Sequence, residues 1–224
     1  MTQNVLVIAA HPDDEVLGCG GTIAKYVRTG AVVNVAFLAD GVYSRAQVDD
    51  AELIRRQQAA RTALRILGAN APSFGAFPDN RMDSVPLLDI IKSVEQRIDE
   101  YQPDLVLTHH AGDVNVDHRL IHEAITAACR PQAGHPVKSL RFFEVASSTE
   151  WQIPGSAPTF APTWFEDISA TFEAKMAALD AYAMEMRAWP HPRSMEGVAA
   201  LARWRGATIG VDAAEAFVLG RHLA

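Results

Sequence analysis

The stretch VLVIAAHPDDEVLGCGGT, residues 5–22, decides how the rest of the chain is interpreted. Residues 5–9 are a short apolar, partly β-branched run, which is typical of a buried strand. From about Val16 the spacing of apolar residues predicts a helix that runs to Arg28 and stops at Gly30. Between strand and helix stand a histidine, a proline and three consecutive acids. The stretch therefore predicts a buried strand that ends in a charged turn.

The same alternation continues along the chain. Further strands are predicted at residues 32–38, 73–77, 105–108, 141–146 and 214–220, and further helices at about 53–67, 88–98, 120–129, 170–186 and 195–205. Strands separated by helices of this length form βαβ units in a parallel sheet. The proline-rich segment 152–163 is predicted to be a long surface loop. We expect one α/β domain over residues 1–224, with a Rossmann-like, mostly parallel sheet, helices on both faces and an elaborated C-terminal third.

The composition and charge of the chain indicate a globular domain and argue against several other classes of protein. The 224 residues are 49% hydrophobic and 21% charged, which is ordinary for a globular domain. A net charge of −7 argues against a nucleic-acid partner. Two cysteines are too few for a disulfide framework. The sequence shows neither a signal peptide nor a membrane-spanning segment, so we expect a cytoplasmic protein without a membrane partner.

Two polar clusters follow two of the predicted strands. HPDDE, residues 11–15, follows the first strand, and HHAGDVNVDH, residues 109–118, follows strand 105–108. In open parallel sheets, ligands bind at the carboxyl ends of the strands, where the strand order reverses, and the first and fourth strands are commonly central there. The sequence therefore predicts that the two clusters face each other across one crevice.

Clustered acids and histidines favour a bound cation, because without one they repel or desolvate each other. Imidazole and carboxylate donors suit Zn²⁺, and a catalytic zinc site has three protein ligands and an open position. His11 and Asp14 are the predicted ligands from the first cluster, with one histidine from the second, and Asp13 is the predicted general base. The alternative is that these acids only cap the next helix, which is the better interpretation for Glu15. Capping leaves the second cluster unexplained.

AHPDDEVLGCGGT and, about a hundred residues later, NVDHR together resemble the LmbE/PIG-L family of zinc-dependent de-N-acetylases. The resemblance implies a Rossmann-like fold and one Zn²⁺ per chain, bound by His11, Asp14 and His118, with Fe²⁺ or Co²⁺ as alternatives. It implies that Asp13 is the catalytic base and that Asp117 supports the site. It also implies an N-acetylated small-molecule substrate, with an amino sugar as the expected class. Relatives often form trimers or hexamers, so a homo-oligomer is expected.

The resemblance extends to a few further residues. Arg56 matches an arginine that contacts substrate in the family, although a solvated helix arginine is an equal alternative. Asn115 replaces a histidine found in thiol-pathway members, and an amide donates a hydrogen bond but supplies no proton. His191, between two prolines, is our candidate acid, with His109 and His110 as rivals that are equally consistent with structural histidines. Arg193 is assigned to substrate binding, the alternative being a surface residue at a helix start.

The sequence thus predicts a metal-dependent amidohydrolase that removes an acetyl group from an N-acetylated amino sugar or its conjugate. A second hypothesis is hydrolysis of another small amide, such as a thiol-conjugate amide. A third, from another class, is a sugar- or nucleotide-binding module without catalysis, for which no metal is needed.

Overall fold

A computed structural model of the chain describes residues 2–39 and 50–224. Within these residues a seven-stranded sheet runs through the molecule in the order β3-β2-β1-β4-β5-β7-β6. The strands are β1 (Asn4–Ala9), β2 (Val32–Ala39), β3 (Ser73–Phe77), β4 (Leu105–His109), β5 (Ser139–Phe143), β6 (Trp164–Asp167) and β7 (Ala214–His222). The predicted α/β fold with a mostly parallel sheet is confirmed.

The strand β1 lies at the centre of the sheet. It pairs in parallel with β2 on one side and with β4 on the other, so that Val5 lies opposite Val33 and Leu105. From β1 the chain first builds outward through β2 and β3, then returns to place β4 and β5 on the other side. The strand order therefore reverses between β1 and β4, as predicted, and their carboxyl ends flank a crevice.

Helices cover both faces of the sheet. They are α1 (Asp14–Arg28), α2 (Asp50–Leu67), α3 (Leu87–Tyr101), α4 (Val116–Ala128), α5 (Phe172–Asp180) and α6 (Met195–Ala207), with a single 3₁₀ turn at Met82–Ser84 in the described chain. Successive residues of β1 point to opposite faces. Val5 and Val7 pack in the core under α1, α2 and α5, and Leu6 and Ile8 pack in the core under α3 and α4. Among the described helices, none is both apolar enough and long enough to cross a lipid bilayer.

Helix α1 is interrupted at Cys19, which has φ −149° and ψ 25°. At this point two buried side chains replace the helical hydrogen bond that would join Leu17 O to the N–H of Gly21. Lys175 Nζ donates to Leu17 O at 2.9 Å, and Glu215 accepts from the N–H of Gly21 at 2.9 Å. Lys175 and Glu215 also contact each other at 2.6 Å. The two halves of α1 are thus held by side chains from α5 and β7.

The glycines of α1 allow close packing of this helix against its neighbours. A Cβ at Gly18 would overlap the ring of Phe143 on β5, and a Cβ at Gly21 would come within 2.7 Å of Ile168. Real Cβ atoms do not approach other atoms this closely. With larger residues at these two positions, α1 would have to lie farther from β5 and from Ile168.

The part of the chain after residue 138 differs from the prediction in three places. The predicted helix 170–186 ends at Asp180, because the following residues form tighter turns, such as Glu185 N–H to Tyr182 O. The predicted strand 141–146 lies instead at Ser139–Phe143, because the chain curls after it, with the N–H of Val145 bonded to Thr149 Oγ1. The strand β6 has no counterpart in the prediction. It pairs antiparallel with β7, which is itself antiparallel to β5.

Candidate metal centre

The carboxyl ends of β1 and β4 open into a cavity of about 490 Å³. Its wall combines the turn after β1, the loop after β4, helix α2, the segment after β3 and the C-terminal third. Among the described residues the wall consists of His11, Asp13, Asp14, Arg56, Asp79, Asn80, Val114, Asn115, Val116, His118, Ser147, Ser148, Trp151, Glu185 and Arg193. The two polar clusters predicted to face each other therefore share one cavity.

His11, Asp14 and His118 form a buried group within this cavity. One nitrogen or oxygen of each lies within 4.8 Å of the others. Asp14 Oδ2 is 3.3 Å from His11 Nδ1 and 3.3 Å from His118 Nε2. Helix α4 begins at Val116, earlier than predicted, with Asn115 as its N-cap, and this start places His118 in the first turn facing β1. Three converging donors of this type are the protein ligands of a catalytic zinc site.

In His11 and in His118, one ring nitrogen faces Asp14, and the second ring nitrogen lies next to a different carboxylate. His11 Nε2 lies 3.0 Å from Asp117 Oδ2 and 3.0 Å from Asp79 Oδ1. His118 Nδ1 lies 3.1 Å from Asp113 Oδ2. Metal-binding histidines are typically oriented in this way, with one nitrogen held by a carboxylate and the other turned to the ion. The pattern leaves His11 Nδ1, Asp14 Oδ2 and His118 Nε2 directed at one another.

This donor set fits a divalent cation. Among the described residues, neither ring nitrogen of His118 has a partner with hydrogen-bonding geometry, although carboxylate oxygens lie close to both. Burial lowers the pKa of His118, but the charges of Asp14 and Asp113 outweigh it and raise the pKa to about 9. The site thus attracts positive charge, and a divalent ion balances its buried carboxylates better than one proton does.

Asp13 lies beside the group in a strained backbone conformation, with φ 121°. Residues other than glycine seldom adopt this region, and such strain persists only where neighbouring contacts impose it. Here the N–H of Asp13 donates to Glu15 Oε2 at 3.0 Å, and Glu15 Oε1 accepts from the hydroxyl of Tyr182 at 2.6 Å. Glu15 and Tyr182 are both buried. Glu15, which the sequence assigned to the helix start, therefore also holds the turn that carries Asp13.

The carboxyl group of Asp13 faces two arginines. Arg193 Nη1 donates to Asp13 Oδ2 at 2.9 Å, and Arg56 Nη2 lies 4.0 Å from the same oxygen. Burial raises the pKa of Asp13, the charge of Arg193 lowers it, and the result is a pKa of about 6. A carboxyl group whose pKa lies near neutrality is suited both to take and to return a proton.

Both arginines assigned to substrate binding lie in the cavity wall. Arg56 is 5% exposed and its Nε lies 3.2 Å from Glu185 Oε1, so it is not a solvated helix arginine. Arg193 Nε donates to Ser147 Oγ at 3.1 Å. The structure brings both cations to the site, while their contact with a substrate stays a prediction.

Asn115 also lies in the wall, with both ends of its amide engaged. Its Oδ1 accepts from the N–H of Asp117 at 2.9 Å, which caps α4, and its Nδ2 donates to Asn80 Oδ1 at 2.9 Å. A hydrogen bond to substrate would use the second N–H of Nδ2.

The three candidate acids are not part of the described cavity wall. His191 Nδ1 accepts from the N–H of Arg193 at 3.1 Å, so this ring supports the loop that presents Arg193. His109 is fully buried, its Nε2 accepts from the N–H of Ala10 at 2.8 Å, and its ring stacks on that of His118. His110 Nε2 lies 3.0 Å from the carbonyl oxygen of Pro158. These positions give all three histidines structural contacts and provide no support for a direct role as acid.

Several site residues were missed by the sequence analysis. Asp79 follows the carboxyl end of β3, on the same sheet edge as the two clusters, and that position is a signal that could have identified it. Tyr182 and Glu185 had no such signal, because they fall in a segment predicted to be a plain helix.

Comparison with known proteins agrees with this geometry. The family described as GlcNAc-PI de-N-acetylase, PIG-L, matches residues 6–129, more than half of the chain. The 1D-myo-inositol 2-acetamido-2-deoxy-alpha-D-glucopyranoside deacetylase of Mycobacteroides abscessus is 30% identical, over 83% of this chain and 82% of the relative.

Solved structures share the whole fold. The conserved protein TT1542 of Thermus thermophilus matches with a TM-score of 0.78 and 28% identity, over 100% of this chain and 97% of that one. GalB, the 4-carboxy-2-hydroxymuconate hydratase of Pseudomonas putida, matches with a TM-score of 0.76 and 21% identity, over 100% and 98%. Since a hydratase shares the fold, the fold alone does not determine the reaction. The family match, the 30% identical relative and the two motifs together show that the chain belongs to the GlcNAc-PI de-N-acetylase (PIG-L) family.

Proposed function

We propose that this chain hydrolyses the N-acetyl group of an amino sugar or amino-sugar conjugate, using a divalent cation bound by His11, Asp14 and His118. The observation that carries the proposal is the convergence of these three donors beside Asp13 in one cavity. The curated relative at 30% identity is named as a deacetylase of an acetamido-sugar linked to inositol. Family membership and the local geometry thus support the same reaction.

Zinc is the ion that we propose for the site. Two imidazoles and one carboxylate, with an open position, are the usual protein ligands of catalytic zinc, although Fe²⁺ and Co²⁺ accept the same donors. When bound, such an ion polarises the amide carbonyl and makes water acidic enough to lose a proton near neutral pH.

Asp13 moves the protons of the reaction. Its carboxylate takes a proton from the water that attacks the amide carbon, and the same carboxyl group returns a proton to the nitrogen as the carbon–nitrogen bond breaks. The products are the free amine and acetic acid, which ionises to acetate by releasing its proton to solvent. Arg193, which donates to Oδ2 at 2.9 Å, holds the carboxyl group in position for both transfers.

The remaining wall residues orient the substrate in this proposal. Arg56 and Arg193 offer guanidinium donors to hydroxyl or anionic groups of the sugar, and Asn115 offers an amide N–H to the oxygen that gains charge. Because Arg56 is almost fully buried, a substrate group that it binds must reach deep into the cavity.

The decisive test measures metal content and acetate release in the same preparations. We expect about one zinc per chain in the wild type, loss of zinc in His118→Ala, and retention of zinc with loss of acetate release in Asp13→Asn. N-acetylglucosamine, its glycosides and N-acetylglucosaminyl-inositol are the first substrates to assay. If a zinc-loaded wild type released no acetate but hydrolysed a larger amide or hydrated a carbon–carbon double bond, the de-N-acetylase assignment would be wrong. Ligand binding without a metal requirement would favour the non-catalytic module.

A further inference from the structure

Trp151 is a large apolar side chain in the wall of the polar cavity. It is 51% exposed, and it shares the cavity with Asp13 and His118. Exposure by itself is not distinctive, since Trp204 is 64% exposed on α6. Trp151 differs because it lines the cavity that contains the candidate metal centre.

The loop that carries Trp151 is tied directly to the metal centre. The hydroxyl groups of Ser148 and Thr149 both donate to Asp113, the carboxylate beside His118. The carboxylate of Glu150 accepts from the backbone N–H groups that precede it, with a distance of 2.6 Å to that of Ser147. The backbone that leads to Trp151 is therefore held next to His118 by a chain of hydrogen bonds.

A second set of contacts ties the indole to the catalytic carboxyl group. The ring of His191 packs edge-on against Trp151, with a centroid distance of 5.4 Å and an interplanar angle of 81°. His191 Nδ1 accepts from the N–H of Arg193, whose guanidinium donates to Asp13. The indole is thus supported from two directions, and both supports lead to residues of the candidate site.

The chemistry of the wall indicates what covers this indole. Among the described wall residues the apolar side chains are Val114, Val116 and Trp151, and the others are polar or charged. A pyranose ring has this combination of surfaces, because its axial C–H groups form an apolar face while its hydroxyl groups lie around the edge. An indole face carries negative charge density and attracts such C–H groups.

We propose that Trp151 is a specificity-determining platform on which the pyranose ring of the substrate stacks while its acetamido group reaches the metal centre. This inference rests on the proposed function, since it names how the sugar part of the same substrate is recognised. The 147–151 loop then has two roles. It supports His118 through Asp113, and it recognises the pyranose ring through Trp151.

The test measures binding of the methyl glycoside of glucosamine, which has the ring but no acetyl group to hydrolyse. The zinc-loaded wild type, Trp151→Ala, Trp151→Phe and Trp204→Ala are compared by titration calorimetry, with circular dichroism to verify folding. We expect the dissociation constant to rise about tenfold in Trp151→Ala, to rise less in Trp151→Phe because a smaller aromatic face remains, and to stay unchanged in Trp204→Ala.

Each outcome decides between the inference and its alternatives. Equal affinity of Trp151→Ala and wild type would overturn the platform, and so would a wild type that does not bind the methyl glycoside. If binding depends on Trp151 but the wild type releases no acetate from the corresponding N-acetylated glycoside, the platform stands and the proposed hydrolysis is wrong.

Discussion

At the scale of single residues, Asp113 connects the candidate metal ligand His118 to the rest of the fold. It is fully buried, and it accepts hydrogen bonds from Ser148, Thr149 and the backbone N–H of Asn115. Burial would raise the pKa of Asp113, but the charge of His118 and these donors hold it well below its usual range. Asp113 is therefore a fixed carboxylate that orients the imidazole.

Replacing this carboxylate should weaken metal binding. In Asp113→Asn we expect the zinc dissociation constant to rise about 10- to 100-fold, because the amide holds the His118 ring less firmly. Competition with a chromophoric chelator measures the constant. Asp180→Asn, an exposed residue at the end of α5, is the matched control and should bind zinc like the wild type. An unchanged constant in Asp113→Asn would show that His118 is oriented by other contacts.

Tyr182 acts on Asp13 through Glu15, since its hydroxyl donates to Glu15 and, among the described residues, to none of the candidate metal ligands. In Tyr182→Phe we expect kcat to fall about tenfold with KM and zinc content unchanged, because the strained turn that carries Asp13 loses a support. Steady-state kinetics on an N-acetylated amino sugar, with metal analysis, gives the three quantities. Tyr101→Phe, at the end of α3, is the control. A rise in KM without a change in kcat would contradict a role in positioning Asp13.

At the scale of elements, the interruption of α1 separates the charged turn from the rest of the helix. Glu215 accepts from the N–H groups of Gly21 and Thr22 and from Lys175, all buried. A regular helix would have bonded these backbone groups internally. The interruption is therefore stable only while the side chains from α5 and β7 are in place.

Removing the carboxylate of Glu215 should lower the stability of the folded chain. In Glu215→Ala we expect the free energy of unfolding to fall by about 3–5 kcal/mol, because the Lys175 charge and two backbone donors lose their buried partner. Urea denaturation followed by circular dichroism measures this loss. Glu123→Ala, an exposed position within α4, should change stability by less than about 0.5 kcal/mol. A loss as small as that of the control would mean that α1 closes into a regular helix without Glu215.

At the scale of the whole molecule, Glu166 joins the C-terminal third to the parallel sheet. From β6 it accepts hydrogen bonds from Lys25 and Tyr26 on α1 and from Arg141 on β5. Burial would raise the pKa of Glu166, but the hydrogen bonds of Lys25 and Trp164 and the nearby positive charges hold it below its ordinary value. A lowered folded-state pKa means that ionised Glu166 stabilises the fold above its unfolded pKa, and that this stabilisation is lost as the pH falls.

The stability difference between Glu166→Gln and the wild type should therefore depend on pH. We expect the variant to be less stable by about 2 kcal/mol at pH 7, since charged hydrogen bonds are weakened, and the difference to shrink as the pH falls below the ordinary glutamate value. Urea denaturation at a series of pH values tests this. Glu173→Gln makes the same charge change at an exposed site and should show no such trend. If the stability difference instead grew towards acid pH, the ionised carboxylate of Glu166 would not be the form that stabilises the fold.

The order of β1 to β5 and α1 to α4 along the chain was predictable from the sequence, because apolar periodicity and glycine stops are local signals. His11, Asp13 and Asp14 were predictable as candidates from residue type and spacing, whereas the choice of His118 within the second cluster came from the resemblance to the LmbE/PIG-L family. Their convergence beside β1 and β4 is confirmed by the structure, whereas their catalytic roles stay predictions.

The groups that contact these candidates could be identified only in the folded structure. Asp79 reaches the site from the segment after β3, and Tyr182 and Glu185 reach it from the segment after α5. The contacts that place them depend on packing between elements far apart in the chain. The same holds for the candidate acids, since His191 and His109 resemble site residues in sequence and are engaged by backbone groups in the fold. A local sequence pattern indicates which chemical groups a residue carries. The burial, orientation and hydrogen-bond partners of those groups are set only when the chain folds.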